Sequence, residues 1–251
     1  MTRWLTLMLI MLPSPAMAQR VFNPAASYIT AGQDEPGYRA WMARASWRPV
    51  YVKAFNDYLV SNGVGGVAPT WQILRTATDW RKCGAEPFEV PPVNAWPNIV
   101  AALRYVGAYV EPVIGPVEIV SVYRNDRLNA CAGGAPESTH RTMGAVDMVP
   151  LRPVTRSALM SSLCRVHLAS GPMNGIGLGF YKGLRFHIDA RKFREWGTAG
   201  AAGGWGCTAV LAEGAAPNGS VPGPVAAAPA PPPFPAKIVY PPASDPLAPR
   251  Q

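Results

Sequence analysis

The amino-acid sequence predicts an α+β fold: a small antiparallel sheet flanked by helices, followed by a disordered Pro/Ala-rich C-terminal tail. Three observations support this class. Some segments repeat apolar residues at helical spacing, shorter ones alternate or concentrate β-branched residues, and proline and alanine dominate after Trp205. With 251 residues, 49% of them hydrophobic, the chain can bury one ordinary core, which we place in about residues 25–207.

The predicted helices are segments whose apolar residues recur on one face of a 3.6-residue period. In residues 47–61, for example, Val52, Phe55 and Leu59 share a face. Four segments favour a helix: residues 47–61, a short stretch after Pro69 with Thr70 as its N-cap, residues 98–110, and residues 155–170.

The predicted strands are shorter and richer in β-branched residues. Residues 115–124 show apolar alternation and several β-branched residues, and they predict a strand that ends near Arg124. Residues 144–151 predict a second strand. Residues 175–181 and 184–190 are short apolar segments that lie close together in the chain. They predict a strand pair or hairpin.

The first 18 residues predict a secretory signal peptide. Arg3 precedes an apolar stretch that runs through Leu12, and small residues follow at positions 16 and 18. Because the apolar stretch is too short to span a bilayer well, we expect cleavage after Ala18, with an uncleaved anchor as the alternative. No other segment predicts a membrane span, so the protein is expected in the periplasm or at the cell wall.

The four cysteines predict two disulfides. Cys83, Cys131, Cys164 and Cys207 include no closely spaced pair, which argues against a four-cysteine zinc site. An even number in an exported chain favours disulfides. Of the three possible connectivities we expect Cys83–Cys131 with Cys164–Cys207, and the other two stay open.

The positive net charge of the chain favours a negatively charged partner. Lysine and arginine exceed aspartate and glutamate by 23 to 15, which gives a formal charge of +8. Such a charge favours nucleic acid, membrane lipid or an anionic wall polymer as a partner. Because no basic block is interleaved with aromatic residues, nucleic acid is not expected.

The histidines are the first candidates for chemistry. The chain has three of them, His140, His167 and His187. Catalytic zinc commonly takes three protein ligands from His, Asp and Glu. His140 and Asp147 could form a near pair that His187 completes; the alternative is that His187 is a structural histidine in an apolar strand.

Two stretches resemble a known family. "SVYRNDRLNACAGGAPESTHRTMGAVDMV" and "GLGFYKGLRFHIDARKFREWG" are similar to the zinc D-Ala-D-Ala carboxypeptidases, whose larger group includes lysostaphin-type endopeptidases and hedgehog signalling domains. The resemblance covers about residues 115–197, and a lead-in extends it back toward Trp71. The matching positions are Ser121, Tyr123, Arg124, Asn129, Ser138, His140, Asp147, Gly177, Gly179, His187 and Asp189.

The resemblance implies a site and a reaction. One catalytic Zn²⁺ would be held by His140, Asp147 and His187, and zinc-bound water would attack peptide bonds in peptidoglycan stem peptides. The activity would be that of a D,D-carboxypeptidase or an endopeptidase. Arg124 would hold a terminal carboxylate or stabilise the oxyanion, with a surface ion pair as the alternative. Tyr123 and Ser138 would bind the substrate. Ser138 could instead cap the ligand loop, and a plain turn serine is the other alternative.

Two positions depart from the family pattern. Met143 stands where relatives often carry glycine. Relatives also place a general base three residues before the last ligand, or a histidine two before it, and here Leu184 and Arg185 occupy those positions.

The missing base leaves three candidates elsewhere in the chain: His167, Asp189 and Glu137. Each has another explanation. His167 could be a structural histidine, and Asp189 could orient a ligand imidazole.

The resemblance also divides the chain. We expect a signal peptide in residues 1–18, a helical lead-in in residues 19–110, a zinc peptidase-like core in residues 111–207 that forms one domain with the lead-in, and a disordered tail in residues 208–251. Two other functions stay open. One is a zinc-containing module that binds peptidoglycan or a partner without turnover, and the other is a disulfide-stapled wall protein without metal.

Overall fold

A computed structural model of the protein describes residues 22–197 and 206–214. The predicted signal peptide and the tail from residue 215 onward lie outside the described residues. The helices are α1 (Glu35–Ala43), α2 (Arg48–Ser61), α3 (Thr70–Ile73), α4 (Pro97–Tyr105), α5 (Glu111–Ile114), α6 (Asp126–Cys131), α7 (Arg156–Asn174) and α8 (Cys207–Gly214). The strands are β1 (Val117–Ser121), β2 (Ala145–Pro150), β3 (Gly177–Phe180), β4 (Phe186–Asp189) and β5 (Arg194–Gly197).

The α+β class is confirmed, and the sheet is mixed. The strand order is β1-β2-β4-β3-β5. The first three pairs are antiparallel, as predicted, but β5 runs parallel to β3. The prediction of an antiparallel sheet is therefore wrong for this edge. Strand β4 runs antiparallel to β3. The chain reverses its direction after β4 and then pairs with the other edge of β3, so β5 runs parallel to β3.

The longer predicted helices are confirmed, and the short one is corrected. In α2, Val52, Phe55 and Leu59 are buried, as the helical spacing predicted. Helix α3 ends at Ile73 and its N-cap is Pro69, so the prediction of Thr70 as N-cap is wrong. The helix stops because the next residues are extended: Arg75 forms an isolated β-bridge with Phe88.

One hydrophobic core joins the N-terminal helices to the sheet. Phe55 of α2, Leu103 of α4, Val146 of β2 and Ile188 of β4 belong to the same buried cluster. Helix α4 continues through a π-helical turn, Val106–Val110, into α5, so this element is longer than predicted. Both faces of the inner strand β2 are buried, which makes it a rigid support for any side chain it presents.

Both predicted disulfides are present. Cys83 is bonded to Cys131, and Cys164 is bonded to Cys207 across a sequence separation of 43. In the loop-entropy model, a bridge that closes a loop of this length stabilises the fold by about 4 kcal/mol.

The predicted tail boundary is corrected by the second bridge. Residues 208–214 were expected to belong to the disordered tail but lie in α8. The bridge ties α8 to α7, and Val210 and Leu211 pack against the core, which gives this short segment apolar area to bury. In the described part of the chain, no helix combines the length and the apolar character that crossing a bilayer requires.

Candidate metal centre

Two adjacent strands and the turn before them position the predicted ligands. Asp147 on β2 lies directly opposite His187 on β4 in the antiparallel register. His140 lies in a 3-10 helix, Thr139–Thr142, just before β2. Ser138 is the N-cap of this helix, and its hydroxyl oxygen accepts a hydrogen bond from the backbone N–H of His140 at 3.4 Å. Ser138 therefore caps the short helix that carries His140.

The turn between His140 and β2 explains one departure from the family pattern. Met143 has φ of 60° and is the only non-glycine residue with positive φ among the described residues. Glycine adopts this left-handed conformation freely, whereas a side chain costs about 1–2 kcal/mol. Met143 is completely buried in the core, and burial of a methionine side chain, worth about 1.5–3 kcal/mol, offsets this strain. The loop thus keeps the ligand geometry without the family's glycine.

The three donor atoms form a small triangle. Nε2 of His140 is 3.2 Å from Oδ1 of Asp147 and 3.2 Å from Nδ1 of His187, and the third side measures 3.0 Å. A tetrahedral zinc with bonds of about 2.0–2.1 Å holds neighbouring ligand atoms about 3.3 Å apart. All three residues are buried. The donor set and its dimensions therefore fit zinc.

Hydrogen bonds hold both imidazoles in the tautomer that a metal requires. Nδ1–H of His140 donates to the carbonyl oxygen of Val122 at 2.5 Å, which leaves Nε2 as the free donor atom. Nε2–H of His187 donates to Oδ2 of Asp189 at 2.9 Å, which leaves Nδ1 free. The two free nitrogens face each other and Asp147.

Asp189 is fixed behind His187. Both of its oxygens accept hydrogen bonds from Arg194, at 2.9 and 2.6 Å, and Oδ1 also accepts the backbone N–H of Arg191. Burial would raise the pKa of Asp189, but the hydrogen bond from His187 and the nearby positive charges outweigh it and lower the pKa. Asp189 is therefore an ionised carboxylate, and its position suits orienting the imidazole of His187. From the sequence, this role was the alternative to that of a general base.

Arg124 lies inside the site, against Asp147. Its Nη2 donates to Oδ2 of Asp147 at 2.5 Å, and its Nε donates to the hydroxyl of Ser121 at 3.0 Å. Burial acts to raise the pKa of Asp147, but the neighbouring His140 and Arg124 hold the pKa well below its usual range. Arg124 is buried, so this is an interior ion pair, and the surface alternative is excluded.

The histidine pKa values differ because their partners differ. Burial lowers the pKa of His140 to about 4, and the charge of Arg124 acts in the same direction. Burial also acts to lower the pKa of His187, but the carboxylates of Asp147 and Asp189 outweigh it and raise the pKa. A metal that binds His187 therefore competes with a proton for this imidazole.

Tyr181 is a site residue that the sequence reasoning missed. Its hydroxyl donates to both oxygens of Asp147, at 3.0 and 3.2 Å, and burial raises the pKa of this phenol. Trp196 packs against the rings of both Tyr181 and His187, with centroids 5.1 and 5.0 Å apart. The only sequence signal was position: Tyr181 directly follows the glycine-rich strand β3.

The glycines of β3 make room for these groups. A Cβ at Gly179 would overlap the indole of Trp196, and a Cβ at Gly177 would overlap the carboxylate of Asp189. The glycine-rich pattern is thus required by two side chains that reach across β3 from its neighbouring strands.

Other predicted site residues lie elsewhere. Tyr123 is buried in the hydrophobic core, and Glu137 is an exposed residue whose carboxylate is 3.7 Å from Arg191. His167, on α7, stacks on Phe193 with ring centroids 4.7 Å apart. Across residues 22–197 and 206–214, no hydrogen bond, ion pair or ring contact joins Tyr123, Glu137 or His167 to the three ligand residues.

His167 has the properties of a buried structural residue. Neither ring nitrogen has a hydrogen-bond partner among the described residues, and the nearest carboxylate oxygen, Oε1 of Glu195, is 3.8 Å from Nε2. Burial lowers the pKa of His167 more than the carboxylate of Glu195 and the backbone of Arg194 raise it. The folded protein therefore takes up this proton less readily than the unfolded chain.

Replacing His167 with leucine should stabilise the protein. Removing two unsatisfied buried polar atoms should raise the free energy of unfolding by about 1 kcal/mol at pH 7.5. Since the pKa of His167 is lowered in the folded protein, the wild type loses stability as the pH falls through and below about 6.5. The stability gained by the leucine variant should therefore be larger at pH 5.5. Urea denaturation of both proteins at both pH values measures this. A variant less stable than the wild type at both pH values would show that His167 has a partner.

A family comparison covers most of these residues. Residues 71–189 match the model of the family described as Peptidase M15, and this segment contains Arg124, His140, Asp147, Tyr181, His187 and Asp189. Searches of curated proteins and of solved structures returned no match. The segment that holds the His140–Asp147–His187 triangle therefore belongs to the Peptidase M15 family, the zinc D-Ala-D-Ala carboxypeptidase-like family that its motifs resemble.

Proposed function

We propose that this protein is an exported zinc peptidase that hydrolyses peptide bonds in peptidoglycan stem peptides. The observation that carries the proposal is the buried triangle of His140, Asp147 and His187 within a Peptidase M15 segment. The activity is that of a D,D-carboxypeptidase or an endopeptidase. The two disulfides support export, because such bridges persist in oxidising compartments.

His140, Asp147 and His187 would hold one zinc ion. When bound, zinc supplies a Lewis acid that polarises a peptide carbonyl and lowers the pKa of water to about 7. The protein's part is to keep the donors ready: Val122 and Asp189 hold the two imidazoles, and Tyr181 and Arg124 hold Asp147. These outer contacts typically change metal affinity or activity by about 10- to 100-fold.

Arg124 is the candidate for stabilising the oxyanion. Its Nε and Nη2 are used by Ser121 and Asp147, and Nη1 makes no hydrogen bond to a described residue. A guanidinium N–H at the metal centre can donate to the negative charge that develops on the carbonyl oxygen. The buried pair with Asp147 fixes this donor before the substrate arrives.

A non-catalytic zinc module that binds peptidoglycan is the second candidate, and a specific observation favours it. Of the candidate bases, His167 and Glu137 make no contact with the ligand residues within the described ranges, and Asp189 uses both oxygens. Leu184 and Arg185, at the family's base positions, cannot accept a proton at neutral pH.

Digestion of purified muropeptides separates the two candidates. We expect the zinc-loaded protein to convert pentapeptide or crosslinked muropeptides to shorter products, seen by mass spectrometry. A chelator should stop the reaction and added zinc should restore it, with the zinc-loaded His187→Ala variant as the inactive control. A protein that binds one zinc and sediments with sacculi, but yields no chelator-sensitive product, would instead be the binding module.

A further inference from the structure

We propose that Arg185 binds the free C-terminal carboxylate of the substrate peptide, which makes this chain a carboxypeptidase. This inference rests on the proposed function and goes further, because it selects between removal of a terminal residue and cleavage within a crosslink. It starts from a pocket beside the metal centre. The pocket has a volume of about 390 Å³, and its walls include Tyr28, Phe180, Tyr181, Lys182, Arg185 and Trp196.

The pocket and the metal centre share two walls. Tyr181 donates to the metal-ligand carboxylate of Asp147, and Trp196 packs on the ligand His187. A ligand in the pocket therefore lies one aromatic side chain away from the proposed metal position. A substrate that places its scissile carbonyl at the metal can extend its next residue into this pocket.

Two aromatic rings orient the guanidinium of Arg185 so that it can bind an anion. Its Cζ lies 3.7 Å from the ring centroid of Tyr181 and 5.2 Å from that of Tyr28. Stacking on aromatic faces leaves the N–H donors at the edge of the guanidinium, where they can grip a carboxylate in a bidentate fork. The Nε atom is buried and has no hydrogen-bond partner among the described residues.

The charge of Arg185 has no counterpart in the described residues. No carboxylate of residues 22–197 or 206–214 forms an ion pair with it, and the other charged residue in the walls of the pocket is the exposed Lys182. Arg124 and Arg194, by contrast, are paired with Asp147 and Asp189. The charge of Arg185 is therefore free for a substrate carboxylate.

The proposal places the last residue of the peptide beside Tyr181, between the metal centre and Arg185. Tyr181 contacts both sides, because its hydroxyl donates to Asp147 and its ring stacks on the guanidinium of Arg185. A terminal carboxylate on this last residue would pair with the guanidinium. The amide of a longer chain at that position has no negative charge to pair with Arg185.

A pair of non-hydrolysable ligands tests this assignment. The probes are a phosphinate analogue of D-Ala-D-Ala and the same analogue with its terminal carboxylate converted to the amide. Titration calorimetry with the full-length zinc-loaded protein should show the acid bound at least about 10-fold more tightly than the amide, since a hydrogen-bonded charge pair contributes about 1.5–3 kcal/mol. Arg185→Met should weaken the acid by about 10- to 100-fold and leave the amide unchanged.

Two further variants make the result specific. Arg185→Lys keeps the charge but loses the bidentate fork, so it should retain part of the preference for the acid. Arg165→Met removes an exposed charge on α7 and should leave both affinities unchanged. Zinc content and thermal unfolding, measured for each variant, identify any loss of fold.

The possible failures are distinguishable. If the zinc-loaded wild type binds neither analogue and cleaves no muropeptide, the proposed function and this inference both fall. If it binds or cleaves but does not discriminate between acid and amide, or if Arg185→Met weakens both equally, only the assignment of Arg185 is wrong.

Discussion

His187→Ala and His140→Ala are expected to lose stoichiometric zinc. Each removes one of three donors that lie 3.0–3.2 Å from one another, and two donors cannot hold the ion against a chelator. If a binding free energy of about 10–16 kcal/mol is shared among the ligands, each removal weakens affinity on the order of 10³-fold. Elemental analysis after dialysis, followed by chelator competition, measures this.

His167→Ala is the matched control for the metal prediction. It removes the remaining histidine of the chain, which is equally buried but contacts Phe193 instead of the ligands. This variant should keep one zinc per chain. Equal zinc loss in all three variants would mean that the histidines act through folding, and zinc retention by His187→Ala would exclude the proposed ligand set.

Arg124→Ala is expected to keep zinc and lose turnover. Without Arg124, the proposed zinc would still compensate the charge of Asp147, so one zinc should remain at saturating concentration. Loss of the oxyanion donor should lower kcat by about 10²–10³-fold. Loss of the contact to Asp147 should weaken zinc affinity by about 10- to 100-fold. Turnover of a pentapeptide muropeptide, measured at several zinc concentrations, separates these two effects.

Arg124→Lys provides the control. Lysine retains the charge but cannot reproduce the fork that contacts Ser121 and Asp147 together, so intermediate activity is expected. An Arg124→Ala protein that holds no zinc even at saturating concentration would show that Arg124 is needed to form the metal site and would contradict a role in turnover.

The three candidate ligands were proposed from the sequence because the motifs that contain them resemble those of a known family. His140 and Asp147 are separated by one turn and the start of a strand, and His187 follows a recognisable apolar pattern. The structure adds what such patterns cannot carry: the register that sets Asp147 opposite His187, and the phenol of Tyr181 that reaches Asp147. Both depend on pairing between strands that are distant in sequence.

The elements that the sequence did not predict have a common physical cause. Strand β5 and helix α8 have little periodicity of their own and are stabilised by tertiary contacts, namely pairing with β3 and the Cys164–Cys207 bridge. Tertiary contacts of this kind override local propensity.

The register of β2 and β4 aligns two of the proposed metal ligands. Asp147 and His187 face each other because backbone hydrogen bonds align the two strands, and both strands are buried. Pairing of the two strands therefore aligns these two proposed donors, and neither has to be recruited from a disordered loop. We expect the protein to release the proposed zinc when ambient zinc is scarce and to bind it again when supply returns, without refolding.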